Sequence, residues 1–228
     1  MPASSHPSAK LKSLLKSIIW DMDGVLVDTL EFQFEVWHNI FSEYGVEFDR
    51  ANFNRHFGTT NLQTVQKTLG DRITPEEALA ISERKKTTSE KEAIERAVLI
   101  PGVVSWLQYF KACGIPQAVA SSNTQNFIER TVRRLDIHQY FDVLVSAEGL
   151  ASKPDPAVFL EAARLLNADP HQCLVVEDAI AGVEGAHRAG MRCLAVATGN
   201  SVEVLNGADL VIADFHSLKV EQLLALMS

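Results

Sequence analysis

Ile18-Ile19-Trp20-Asp21-Met22-Asp23-Gly24-Val25-Leu26-Val27-Asp28-Thr29 is an apolar run that stops at two aspartates one residue apart, followed by glycine and a second apolar run. Read as a buried strand, the first run carries Asp21 and Asp23 at its C-terminal mouth, where open α/β sheets bind their ligands. Two carboxylates this close repel each other unless a divalent cation or a shared proton intervenes. With a cation present, one carboxylate can attack phosphorus while the other moves a proton. The alternative is a strand-end pair that caps the turn before Gly24.

Beyond Thr29 the pattern changes. Leu30, Phe34, Trp37, Ile40 and Phe41 recur at helical spacing, with Gly45 as a stop. Segments 50–57, 62–69 and 75–97 also read as helices, and Thr74-Pro75-Glu76-Glu77 is a start signal with Thr74 as cap. From Pro101 onward, apolar strands alternate with helices. The strands are expected at 117–121, 143–145, 173–176, 193–197 and 210–212, and the helices at 103–112, 125–135, 156–166 and 179–189. Strands that are apolar without alternation imply a parallel sheet covered on both faces. The expected fold is therefore α/β: a Rossmann-like parallel-sheet core over residues 15–30 and 98–228, an inserted α-helical cap over 31–97, and a disordered tail over 1–14.

Composition narrows the partners. The chain has 228 residues, 46% of them hydrophobic and 22% charged, so it can bury a sizeable core. A net charge of −8 argues against a nucleic-acid surface, which needs a basic stripe. Cys113, Cys173 and Cys193 have no paired spacing, as suits a reducing compartment. Residues 1–17 lack the long apolar stretch of a secretory signal, and no later stretch suits a membrane span. A cytoplasmic protein without nucleic-acid or membrane partners is expected, a monomer with a dimer as the alternative.

The strand ends carry the chemistry. The first ends in Asp21 and Asp23, the second in Ser121-Ser122-Asn123, and a later one in Glu177-Asp178. A parallel sheet places all three on one edge. Lys153, in Ala151-Ser152-Lys153-Pro154-Asp155-Pro156, stands at a helix entrance fixed by two prolines. A lysine among four carboxylates makes sense if it neutralises a further anion.

These four motifs resemble those of the haloacid dehalogenase-like hydrolase superfamily, in the subgroup similar to β-phosphoglucomutase and small phosphometabolite phosphatases. The resemblance runs through Asp21 to Thr29, Val119 to Asn123, Ser152-Lys153-Pro154, and Val176-Glu177-Asp178-Ala179 with Gly182. It implies that Asp21 is a nucleophile forming an aspartyl-phosphate, and that Asp23 serves as acid and then as base. It implies Mg²⁺ on Asp21, the backbone carbonyl of Asp23 and Asp178, with Glu177 as a direct or supporting ligand. Lys153 and Ser121 would hold the phosphoryl group, with Gly24, Ser122 and Asn123 completing the cradle. Asp23 favours phosphate chemistry within this resemblance, since the branch that attacks carbon lacks a second aspartate.

The same resemblance directs attention to the cap. Gln33 stands where mutase relatives carry a histidine, and Phe57-Gly58-Thr59-Thr60-Asn61 lacks their lysine and arginine. A phosphatase acting on a small phosphorylated metabolite, a sugar phosphate or similar compound, is therefore expected ahead of a phosphosugar mutase. The non-enzyme alternatives are an aspartyl-phosphate receiver and a silent binding protein. Gln33, Trp37 and Lys85 are the leading candidates to read the leaving group, with Arg55, His56, Thr59 and Asn61 behind them. For Lys85 the competing reading is a solvated helix face; for Trp37 it is packing.

Overall fold

The computed structural model describes residues 7–56 and 60–228, and the side chains of all of these except 86–90. In chain order it forms α1 (Pro7–Leu14), β1 (Ser17–Trp20), β2 (Val27–Asp28), α2 (Leu30–Glu43), α3 (Arg50–His56), α4 (Asn61–Leu69), α5 (Pro75–Arg96) and β3 (Val98–Leu99). Then follow α6 (Val103–Ala112), β4 (Gln117–Ser121), α7 (Gln125–Arg134), β5 (Val143–Ser146), α8 (Ala157–Leu165), β6 (Cys173–Glu177), α9 (Ile180–Arg188), β7 (Arg192–Val196), β8 (Leu210–Ile212) and α10 (Val220–Leu226). Two compact units result: residues 1–28 with 98–228, and residues 29–97.

The first unit is built on a six-stranded parallel sheet in the order β5-β4-β1-β6-β7-β8. Ranked along the chain, that order is 3-2-1-4-5-6, the doubly wound arrangement of Rossmann-like folds. The three central strands β4, β1 and β6 are buried at every residue, as strands covered on both faces must be. Trp20, the last residue of β1, anchors the strand where the chemistry begins. Its indole Nε1 donates to Gln117 Oε1 at 3.0 Å, and its ring lies 6.0 Å from those of Phe110 and Phe215. Gln117 donates in turn to the Leu107 carbonyl, so this buried amide is satisfied on both ends.

The second unit is helical and has its own core of Trp37, Ile40, Phe41, Phe48, Phe53, Val65, Leu69, Ala78 and Ile81. Trp37 stacks on Phe41 at 5.2 Å. Thr60 and Thr74 each close a reciprocal capping box, with Gln63 and Glu77, at the starts of α4 and α5. Arg96 reaches back along the helices to Glu35 at 2.9 Å and lies over the Phe32 ring.

The structure departs from the sequence expectations in three places. Residues 7–14 form α1 instead of a disordered tail: Leu11 is fully buried and the helix packs on α10. Residues 1–6 of the expected tail lie outside the described residues. The unforeseen β2 and β3 pair antiparallel, Val27 with Leu99 and Asp28 with Val98, at the two points where the chain leaves and re-enters the first unit. Two-residue strands are too short to show any periodicity. The closing helix α10 was likewise not anticipated. Among the described residues, no helix is long and apolar enough to cross a membrane.

Candidate active site

Strand β1 is the point at which the order of strands reverses: the chain moves outward through β4 and β5, then returns to its other side through β6. Ligands of open α/β sheets bind at such a switch point, beyond the carboxyl ends of the strands. Asp21 follows β1 directly, its N–H continuing the ladder to the Val176 carbonyl at 2.9 Å. The chain then wraps tightly, with Leu26 and Val27 both donating to the Met22 carbonyl at 2.9 and 3.0 Å. Gly24 sits in this turn at φ +76°, in the left-handed region that favours glycine. A Cβ there would stand 1.9 Å from Asp178 Oδ2, so no other residue fits.

Lys153 ties the strand ends together. Its ammonium donates to Asp21 Oδ1 and, at 2.7 Å, to Glu177 Oε1. The side chains of all three are nearly buried, at 10, 12 and 2% exposure for Lys153, Asp21 and Glu177. Burial alone would depress the Lys153 ammonium, but the two carboxylates outweigh it and hold its pKa above the ordinary lysine value. Glu177 also receives the backbone N–H groups of Asp178 and Ala179 at 2.8 and 3.0 Å. It therefore shapes the turn that presents its neighbour Asp178.

Asp23 is held from the end of β4. Asn123 Nδ2 donates to Asp23 Oδ2 and to Ser121 Oγ, and the Asn123 N–H also donates to Ser121 Oγ. Ser121 thus accepts twice, which leaves its own hydrogen for another acceptor. Ser122 is exposed at the strand end. The Gly24 N–H donates to the Val27 carbonyl at 2.8 Å. That amide is engaged within the turn, and the missing side chain is what lets the turn approach Asp178.

The donor set suits a hard divalent cation. Asp21, Glu177 and Asp178 bring one carboxylate oxygen each to within 4.8 Å of one another. Asp178 is 3% exposed, and among the described residues its Oδ2 has no hydrogen-bond partner. A buried carboxylate oxygen left so is costly unless an oxygen-seeking cation takes it. Burial pushes the Asp21 carboxyl up to about 8, against the pull of Lys153 and with Glu177 and Asp23 adding to the rise. Burial and then Glu177, Asp21 and Asp23 lift Asp178 well above the usual carboxylate range. Four acids facing the Lys153 ammonium leave a negative excess that a dication reduces.

Gly182, in the first turn of α9, sits against the same centre. A Cβ there would come within 1.9 Å of the Glu177 carboxyl group. We expect Gly182→Ala to displace that carboxylate from Lys153 and cut kcat/KM by about 10²-fold, as ångström-scale misplacement does. The far-ultraviolet circular dichroism should be unchanged. Wild-type kinetics in this variant would show that the Glu177 position is immaterial.

The cap candidates gather within the helical unit. Lys85 is 8% exposed; its Nζ donates to Gln33 Oε1 and lies 5.4 Å from the Trp37 ring centroid. Lys85 is therefore not on a solvated helix face, since a desolvated ammonium needs this amide and ring. Trp37, 5% exposed and stacked on Phe41, is a packing residue. Arg55 and His56 both engage Asn52 on their own helix. Residues 57–59, which include Thr59 and most of the loop contrasted with the mutases, lie outside the described residues.

The sequence reading missed three supporting residues. Ser146 Oγ, at the end of β5, donates to the Asn123 carbonyl at 2.6 Å. Thr198 Oγ1 donates to the Gly24 carbonyl, and Asn200 Nδ2 donates to the Asp178 carbonyl at 3.0 Å. The signal for the last two was the polar run Thr198-Gly199-Asn200-Ser201 after an apolar strand, the same kind of strand end that drew attention elsewhere.

A doubly wound sheet with acids, a hydroxyl and a lysine converging at its switch point defines an α/β protein whose strand ends gather one cluster of ionisable groups. The chain belongs to the haloacid dehalogenase-like hydrolase family, whose sequence model matches residues 18–196. It is 31% identical over 225 residues to the β-phosphoglucomutase of Bacillus subtilis, covering 92% of this chain and 94% of that one. It is 32% identical over 185 residues to a phosphorylated carbohydrates phosphatase of Thermotoga maritima, covering 78% and 82%. Among solved structures, the β-phosphoglucomutase of Clostridium difficile aligns with a TM-score of 0.79 at 26% identity, over 93% of this chain and 97% of that one.

Proposed function

We propose that the chain is a phosphoric monoester hydrolase that uses Mg²⁺ to cleave a small phosphorylated metabolite, a sugar phosphate or similar compound. The observation that carries this reading is Lys153 bridging Asp21 and Glu177 beside an Asp23 held by Asn123. An Asp21 oxygen attacks phosphorus in line with the ester oxygen. The new P–O bond forms as the ester P–O bond breaks, and Asp23 gives its proton to the departing alcohol. Asp23 then takes a proton from the water that attacks phosphorus, and Asp21 is released with inorganic phosphate. The Asn123 amide keeps Asp23 oriented through both halves.

Lys153 has three hydrogens. Asp21 and Glu177 take two, and the 3.4 Å contact to the Ala120 carbonyl is long enough to yield to a phosphoryl oxygen. The hydrogen left on Ser121 Oγ serves another. Asp21, the backbone carbonyl of Asp23 and Asp178 would hold Mg²⁺, with Glu177 direct or supporting, and the bound ion supplies charge neutralisation at the phosphoryl oxygens. Uncatalysed phosphate-monoester hydrolysis is slow enough that accelerations approach ~10²¹-fold, which accounts for so many charges on one small anion.

The named relatives include both a mutase and a phosphatase. Gln33 favours the phosphatase: an amide cannot exchange a proton near neutral pH, and this one is engaged by Lys85. The inserted helical unit disfavours a receiver. The test is inorganic phosphate release from a panel of phosphorylated metabolites, with Mg²⁺ and with a chelator. Release that stops on chelation and returns with Mg²⁺ is expected. Sugar-phosphate isomerisation stimulated by a bisphosphate, without phosphate release, would overturn the phosphatase in favour of the mutase.

A further inference from the structure

We propose that Thr198 and Asn200 are positioning residues that lock two acid-bearing turns together and thereby set the protein's affinity for its divalent cation. The proposal rests on the metal reading of the site given above.

The two residues occupy one short segment after β7. That strand runs parallel to β6 with Ala195 opposite Glu177, so its C-terminal end emerges level with the Glu177-Asp178 turn. The segment is itself fixed, since Ala197 donates to the Ile212 carbonyl at 2.9 Å and Thr198 to the Val196 carbonyl at 3.0 Å. From this base Thr198 Oγ1 reaches the carbonyl of Gly24, and Asn200 Nδ2 reaches the carbonyl of Asp178. The bonded partners lie 174 and 22 residues away along the chain, so neither bond is local.

The turns braced in this way already touch. The α-carbon of Gly24 faces the Asp178 carboxylate so closely that a Cβ would fall 1.9 Å from Oδ2. That Oδ2 is buried and has no hydrogen-bond partner among the described residues. Gly24 is also the peptide neighbour of Asp23, so a bond to its carbonyl fixes the strap that presents the Asp23 main chain. Four crowded acids would drive the turns apart. Two bonds from one segment to two backbone carbonyls oppose that separation without adding charge, and neither uses a reacting atom. Groups that orient metal-binding turns from behind typically alter metal affinity by roughly ten- to a hundredfold when removed.

The experiment measures Mg²⁺ binding to the full chain by titration calorimetry, together with thermal melting in chelator. Thr198→Val removes the hydroxyl while keeping the shape, Thr198→Ser restores it, and Asn200→Ala removes the second bond. Binding weakened roughly ten- to a hundredfold in Thr198→Val and Asn200→Ala, with Thr198→Ser within about twofold of the parent, supports the proposal. Unchanged Mg²⁺ affinity in folded Thr198→Val and Asn200→Ala overturns it. Failure of both to fold assigns these residues to the fold and overturns it equally. A parent chain that binds no Mg²⁺ overturns the metal reading first, before any variant is compared, and this proposal with it.

Discussion

Asp21→Asn is expected to lower kcat/KM by on the order of 10⁴-fold or more, the scale on which loss of a nucleophile acts, while leaving the fold intact. The amide retains the shape and can still sit beside Lys153, but it cannot form the acyl phosphate of the proposed reaction. Its effect on stability should run the other way. Asp21 is nearly buried and shares its space with Glu177 and Asp178, and it is pushed up to about 8 mainly by burial. Removing one of these crowded carboxylates relieves repulsion, and Lys153 keeps Glu177 as a partner. In chelator, Asp21→Asn should therefore melt at or above the wild-type temperature. Activity within tenfold of wild type would remove Asp21 from the nucleophile role, and a markedly lower melting temperature would contradict the electrostatic account.

Lys153→Met should be as damaging to activity and, unlike Asp21→Asn, damaging to the fold. Its ammonium bridges Asp21 and Glu177, with all three side chains almost fully buried. Removing one partner of a buried charge set strands the others, at a cost of about 3–5 kcal/mol. Methionine keeps much of the volume and its contact with the Phe159 ring, beside which Lys153 Nζ lies at 4.8 Å. The loss should therefore be electrostatic rather than a cavity effect. Millimolar Mg²⁺ should recover part of the melting temperature of Lys153→Met, because a ligand that binds only the folded state stabilises it. Urea titrations with and without Mg²⁺ check this. A Lys153→Met protein as stable as wild type in chelator would contradict it.

The sheet and the acid cluster were legible because both depend on strong local signals. Apolar runs at 117–121 and 210–212 became β4 and β8 at those bounds, and α6 took the expected 103–112. Strand-end residues could be grouped from sequence because a parallel sheet puts every strand's C-terminus on one edge, whatever the separation along the chain. Smaller signals failed. The first helix buries little beyond Leu11, and its amphipathic pattern is faint among lysines and serines. Strands β2 and β3 form only as each other's partner, which no window along the chain can reveal.

The second layer of the site escaped for a similar reason. Thr198 and Asn200 bond to backbone carbonyls, and a carbonyl acceptor leaves no mark in the sequence of Gly24 or Asp178. The grouping of Lys85 with Gln33 and Trp37 could be suspected from resemblance, but its burial could not: the Glu83-Arg84-Lys85-Lys86 run reads as a charged surface. The packing of α5 against α2 turns Lys85 inward.

The central claim is that a phosphoryl group passes through Asp21. It is tested most directly by mixing the enzyme with Mg²⁺ and a hydrolysed phosphomonoester, quenching in acid during turnover, and mapping the adduct by mass spectrometry. One phosphoryl group on the peptide containing Asp21, absent when the substrate is omitted and absent in Asp21→Asn, is the predicted result. Turnover with no phosphoryl group on that peptide, or with the group on another residue, would contradict the account.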